Sequence, residues 1–231
     1  MFKNKSTELT FYTTGNRQIK ELFSPQESMK LLPDWFKTIN KNEKYPTLKS
    51  CPGFVDLFKK SISIPLWNDI RITYQDSIIN IEIPGTPSDI VHHFVTQHPP
   101  MQWGDGFKNS IHLKLMSPWH IICNNTTSFM MQDAVWHKEH MDEFSVLPGT
   151  LDFKYQHSSH INLMIPRSKI KKTIILKAGT VIAYLTPMID TNVDIKTKLV
   201  TDEEWRGMQH YIFSFSGVYH AAKKIGEKLI K

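Results

Sequence analysis

The sequence predicts a mainly β fold, an antiparallel β-sandwich or jelly roll with short N-terminal helices and a C-terminal helix. Three observations carry that prediction. From Ile62 onward apolar and polar residues alternate in one segment after another, turn residues divide those segments at short intervals, and helical periods are confined to the two ends. The expected organisation is a mixed segment over 1–60 packed on the core, a sandwich over 61–200 interrupted by a long insertion at 84–110, and an amphipathic helix over 201–231. A chain of 231 residues is long enough to bury a sizeable core as one such unit.

Taken in order, "TELTFYTT" (Thr7 to Thr14) reads as a first strand. "SPQESMKLL" reads as a helix start, with Ser24 as N-cap, Pro25 at the first helical position and Glu27 three residues after the cap. "CPGFVDLFKKS" gives a second helix with Phe54, Leu57 and Phe58 on one face. Pro65 marks the run after it as an edge or a bend. In the next stretch Ile70, Ile72 and Tyr74 alternate with polar residues, as do Ile79, Ile81 and Ile83 beyond Asp76 and Ser77. A two-residue turn there pairs 74 with 79, 72 with 81 and 70 with 83, so every apolar side chain shares a face and Arg71 stands opposite Glu82.

The pattern breaks between 84 and 110, where a Pro- and Gly-rich insertion holds one helical period, Ile90 to Gln97; long loops of this kind tend to be functional. Alternation returns at Ile111, Leu113 and Leu115, at Ile161, Leu163 and Ile165, and at Val181, Ala183 and Leu185. That phase sends His112 and His120 toward water. At the end, Thr201 and Glu204 form a capping box, and Trp205, Met208, Ile212, Phe215, Tyr219 and Ala222 step by three and four along a helix that must dock on its own sandwich or another subunit.

Composition narrows the function. No run approaches the roughly 18 apolar residues of a membrane span, so no membrane partner is expected. "MFKNKSTELTF" has no apolar stretch behind its lysines, so intracellular synthesis is expected. Cys51 and Cys123 are too few for a disulfide framework and read as buried thiols. The net charge of +6 arises from 24 lysines and only four arginines, and no aromatic residues interleave a basic stripe, so nucleic acid is not an expected partner. The tryptophans at 67, 103, 119 and 136 read as core-completing rather than as a groove.

Nine of the eleven histidines lie between 92 and 160. Three or four neutral imidazoles with a carboxylate suit a mononuclear iron, manganese or zinc centre, and His137, His140 and Glu143, joined by His93 or His98 from the insertion, are the candidate ligands. The spacing matches none of the familiar metal signatures. Two readings follow: a non-enzymatic sandwich without a cofactor that binds a protein partner or forms a homo-oligomer, and a metal-dependent cupin- or oxygenase-like enzyme using the histidines of 92–160.

Two resemblances bear on these readings. Gly149, Asp152 and Tyr155, spaced G-x-x-D-x-x-Y, together with "GTVIAY" (Gly179 to Tyr184), resemble the C-terminal half of the trimeric deoxyuridine triphosphatase family. Lys154 replaces that family's second acidic residue, and "NNTTSF" stands in place of its phosphate motif, so the resemblance implies a glycine-marked turn leading into a core strand rather than nucleotide hydrolysis. Over most of the chain, "PDWFK", "CPGFVDLFKKSISIPLWNDIRI", "KLMSPWHI", "FSVLPGTLD" and "IILKAGTVIAYLTP" resemble uncharacterised proteins of tailed marine phages, cyanophages especially. This resemblance implies a phage origin and a place in the infected cell's cytoplasm or in the virion, and supplies no active site.

Overall fold

The structure, a computed structural model, describes residues 6–14, 17–40, 45–104, 106–139 and 142–209. The chain enters as strand β1 (Thr7–Thr14) and turns through helix α1 (Arg17–Leu22). The helix expected at Ser24 does not form. The Ser24 hydroxyl donates back to the Lys20 carbonyl at the end of α1, and Gln26–Glu27 becomes a short strand, β2, followed by a single 3-10 turn. The hydroxyls of Ser61 and Ser63 both donate to buried Ser28, at 2.9 and 2.8 Å, which pins that turn to the sheet. Helix α2 (Asp34–Thr38) follows, then α3 (Pro52–Lys60), which buries Phe54 and Phe58 as its periodicity predicts. Cys51 caps α3 from an exposed position, so only Cys123 is a buried thiol.

Strand β3 (Ile62–Pro65) is buried along its whole length. Pro65 ends it beyond the two residues paired with β2, opposite Val181, where a bulge interrupts the neighbouring pairing. Strands β4 (Ile70–Gln75) and β5 (Ile78–Glu82) form the expected hairpin, with Tyr74 against Ile79, Ile72 against Ile81, and Arg71 against Glu82. Asp76 takes a positive φ of 52°, which a tight two-residue hairpin turn demands and Asp tolerates.

The insertion does not make the expected helix at 90–97. It forms a 3-10 segment over Ser88–His93 and then β6 (Val95–Gln97), which pairs with β7 (Ser110–Leu115) and extends the sheet. Strands β8 (His120–Cys123), β9 (Ser128–Asp133), β10 (Ser145–Val146), β11 (Gly149–Asp152), β12 (Ile161–Pro166), β13 (Lys172–Leu176), β14 (Val181–Pro187) and β15 (Val193–Val200) complete the β structure, and α4 (Asp202–Gln209) closes the described chain.

Four sheets result, ordered β15-β1-β8, β10-β12-β7-β6, β11-β9-β14-β3-β2 and β13-β4-β5. All their pairings are antiparallel except β1 with β15. The chain is therefore mainly β, in the sandwich class that its alternation predicts. One apolar core draws residues from every sheet, among them Phe11, Ile72, Leu113, Phe129 and Leu163. A second cluster, Phe36, Phe54, Phe58, Val181 and Tyr184, packs the helices onto the outer face of β14. That second layer is why all five residues Val181–Leu185 are buried, where alternation alone expects every other one.

Candidate functional site

Connections from several elements converge on a groove of about 440 Å³ beside β8. Trp67 and Asn68 come from the β3–β4 connection, His93 and Phe94 from the turn before β6, Ser117 to Trp119 from the β7–β8 connection, and His120 from the start of β8. Ser158 and His160 lead into β12, Ile19 projects from α1, and Trp205 from α4 closes one side. The capping box that starts α4 is formed: the Thr201 amide donates to Glu204 Oε2 at 2.7 Å, and the Glu204 amide to Thr201 Oγ1 at 3.2 Å. This fixes where the first turn, and hence Trp205, begins. The rest of the expected terminal stripe, from Ile212 on, lies outside the described residues.

Polar contacts define the tautomers of His160 in the groove wall and of His157 behind it. His160 Nδ1 accepts from the Ser117 amide at 3.2 Å, and burial lowers its pKa to about 4, so at neutral pH the ring is uncharged and carries its proton on Nε2. His157 behaves oppositely, its Nδ1 donating to the Ile121 carbonyl at 2.9 Å. Its ring stacks on His120, with centroids 4.7 Å apart. Burial also lowers His120 to about 4, with a smaller push from His157. Its Nδ1 is buried without a partner, as is the indole nitrogen of Trp119 next to it. Native interiors leave few such atoms unpaired, and these two belong to residues that line the groove.

His112 and His120 do not face water. Trp205, Tyr12 and His157 cover His120, while the insertion folds His98 and Trp103 over His112, with ring centroids 4.3 and 4.5 Å away. Both are at least 95% buried. Between His157 and His160 the chain is irregular apart from a single bridge, Ser158 to His120.

The expected metal ligands fall in different places. His137 and Glu143 line a second depression, of about 380 Å³, with Lys138, Glu139 and Lys177. His93 lines the tryptophan–histidine groove instead, and His140 lies outside the described residues. Among the described residues no three His, Cys, Asp or Glu side chains are placed to hold one metal ion. In the second depression the Lys138 ammonium, 6% exposed, pairs with Asp133 at 2.6 Å and donates to the Phe144 carbonyl. His137 Nε2 and the hydroxyl of Tyr184, whose ring centroid lies 5.8 Å from that of the imidazole, are buried without partners, and burial raises the phenol's pKa.

At the turn after β11, Asp152 is buried and its carboxylate accepts from the Lys154 amide at 3.1 Å, a local turn bond. Gly179 has φ 85°, and its amide donates to the Leu66 carbonyl at 2.7 Å, kinking the chain into β14. Sequence reasoning flagged His93 and weighed Trp67 and Trp119 as groove or core. They are both, buried yet lining the cavity. It did not group His120, His160 and Trp205, which are far apart in the chain and share no motif. No described helix is long and apolar enough to cross a membrane. Compared with known protein families, curated proteins and solved structures, the chain matches none.

Proposed function

We propose that this is a phage-type, non-enzymatic β-sandwich binding protein, acting in the infected cell or the virion, whose tryptophan–histidine groove takes an uncharged, polyhydroxylated ligand of the carbohydrate class. One observation carries the reading: among the described residues the groove's wall has three indoles, three imidazoles, an asparagine and two serines, and no Asp, Glu, Lys or Arg. Indole faces offer apolar area to the C–H faces of a sugar ring, and neutral imidazole, amide and hydroxyl groups match its hydroxyls. The volume falls within the roughly 300–1,000 Å³ usual for small-ligand sites. Cleaving a glycosidic bond generally takes two carboxylates, and among the described residues none lines this wall; His120 and His160, held near 4, also do little proton transfer at neutral pH.

Titrating uncharged oligosaccharides against intrinsic tryptophan fluorescence tests this. At least one should quench saturably, and Trp205→Ala, a change at the groove's edge, should raise Kd by about tenfold. If no sugar perturbs the spectrum at millimolar concentration, the reading fails. If the protein instead self-associates and Trp205→Ala dissociates it, the groove serves the protein partner or homo-oligomer that the sequence suggests.

The rival, a metal-dependent cupin- or oxygenase-like enzyme, has His93, His120 and His160 in the lining of one groove, although as they stand the three are not placed to share one ion. Elemental analysis of untagged protein decides it. One equivalent of iron, manganese or zinc, lost in His93→Ala or His160→Ala, would replace the binding reading.

A further inference from the structure

A separate cavity of about 400 Å³ lies between β7, the end of β12 and residues 97–104 and 106–108, which fold over them. Its wall differs from the groove's in carrying charge, while like the groove it holds an unpaired indole N–H and an unpaired imidazole nitrogen. Lys108 and Arg167 line it, and no described acidic residue does. The two unpaired atoms are a donor beside an acceptor. The Trp103 indole nitrogen is buried without a partner and can only donate. His112 Nε2 lies 3.2 Å from the Asn162 side-chain carbonyl, which only accepts, so Nε2 carries the proton and Nδ1 keeps a lone pair. That Nδ1 is likewise buried and unpartnered, in a residue 5% exposed. The two rings meet edge to face, with centroids 4.5 Å apart.

A neighbouring donor and acceptor complement a group that presents an acceptor next to a donor, as the amide-like edge of a nucleobase does. A carboxylate or fully ionised phosphate offers the imidazole lone pair no donor, and a P–OH offers one without the adjoining acceptor geometry of a base edge. Met101 and Phe107 line the same cavity while 85% and 48% exposed, so a planar ring entering here removes apolar surface from water. The guanidinium of Arg167 and the ammonium of Lys108 supply the charge that a phosphate requires.

We propose that this cavity is a second binding site, for a nucleoside monophosphate, with the base edge on Trp103 and His112 and the phosphate between Lys108 and Arg167. It is independent of the carbohydrate reading, since the two sites share no lining residue.

Isothermal titration of the full chain with the four common ribonucleoside monophosphates, their nucleosides, ribose 5-phosphate and inorganic phosphate tests it. At least one nucleotide should bind saturably, tighter than its nucleoside and tighter than either phosphate probe. Arg167→Gln and Trp103→Phe, the second keeping an aromatic ring but losing the N–H, should each weaken it about tenfold. Trp205→Ala should leave it unchanged. The proposal is overturned if no nucleotide binds, if ribose 5-phosphate or phosphate binds equally well, or if Arg167→Gln has no effect. Should Trp103→Phe fail to fold, the ranking of probes on the wild-type protein and the surface variants Lys108→Gln and Arg167→Gln still decide.

Discussion

The groove under Trp205 and the depression beside His137 use the same residue type for opposite ends. Burial lowers His120 and His160 in the groove and His137 in the depression to about 4. In the groove they stand among indoles and hydroxyls with no formal charge nearby on the wall; in the depression His137 sits with Glu139, Glu143, Lys177 and the Asp133–Lys138 pair. A neutral histidine among neutral groups is a hydrogen-bonding surface for a ligand. In the depression the ring, held neutral chiefly by burial, stands among carboxylates and ammonium groups, so that wall is one for charge rather than for hydroxyls. Histidine content alone says nothing about which of these a region is.

The largest effect that separates the two regions should come from pH. Burial lowers His112, His120, His137 and His160 from 6.5 to about 4 in the folded protein. Between those values the unfolded chain binds more protons, so stability is fully present above about pH 6.5 and is lost as the pH falls toward 4. Melting curves from pH 7.5 to 4 should show Tm dropping through that window. His160→Gln, which keeps an acceptor for the Ser117 amide, should flatten the drop. A flat wild-type profile would mean these rings are not held neutral.

Next in size is the ion pair. Lys138→Met removes the ammonium from Asp133, whose other carboxylate oxygen already lacks a partner and whose remaining bond is to the Val146 amide at 3.1 Å. Leaving that charge buried should cost about 3 to 5 kcal/mol in chemical denaturation, while Lys138→Met combined with Asp133→Leu should cost less than the single change. Ligand binding in the groove should survive either variant that folds, which would separate the two regions functionally.

A smaller effect calibrates the fold itself. Ile72 is fully buried, so Ile72→Ala should cost about 2 to 5 kcal/mol. Its partner Ile81 is only half-buried, so Ile81→Ala should cost less, and Thr73→Ala on the outer face under about 1 kcal/mol. Equal losses at the three positions would contradict the register.

That register was legible in the sequence because the hairpin keeps one face apolar, and a slip by one residue would turn every isoleucine outward. The same logic misplaced His112 and His120. Alternation tells which side of a strand a residue takes, but the cover on that side comes from Trp103 and Trp205, distant in sequence. The β14 strand hid its second buried face for the same reason, since Tyr184 packs against Phe58 of α3 with centroids 6.0 Å apart. At 24 and 90–97 local helix signals lost to pairing: Glu27 bonds to β3, and Val95 to Leu115 of β7. The capping box at Thr201 was readable because it is local, whereas the groove it helps close is assembled wholly from long-range contacts.

The central claim is that the groove recognises an uncharged ligand, and salt tests it most directly. A saturating oligosaccharide should be titrated against tryptophan fluorescence at about 0.01 M and about 1 M ionic strength, a range over which the screening length falls from about 30 Å to about 3 Å. Because no charged residue lines the described wall, Kd should stay the same within about twofold, and Trp205→Ala should weaken binding equally at both. Affinity that collapses at high salt, or that is indifferent to Trp205, would contradict the account.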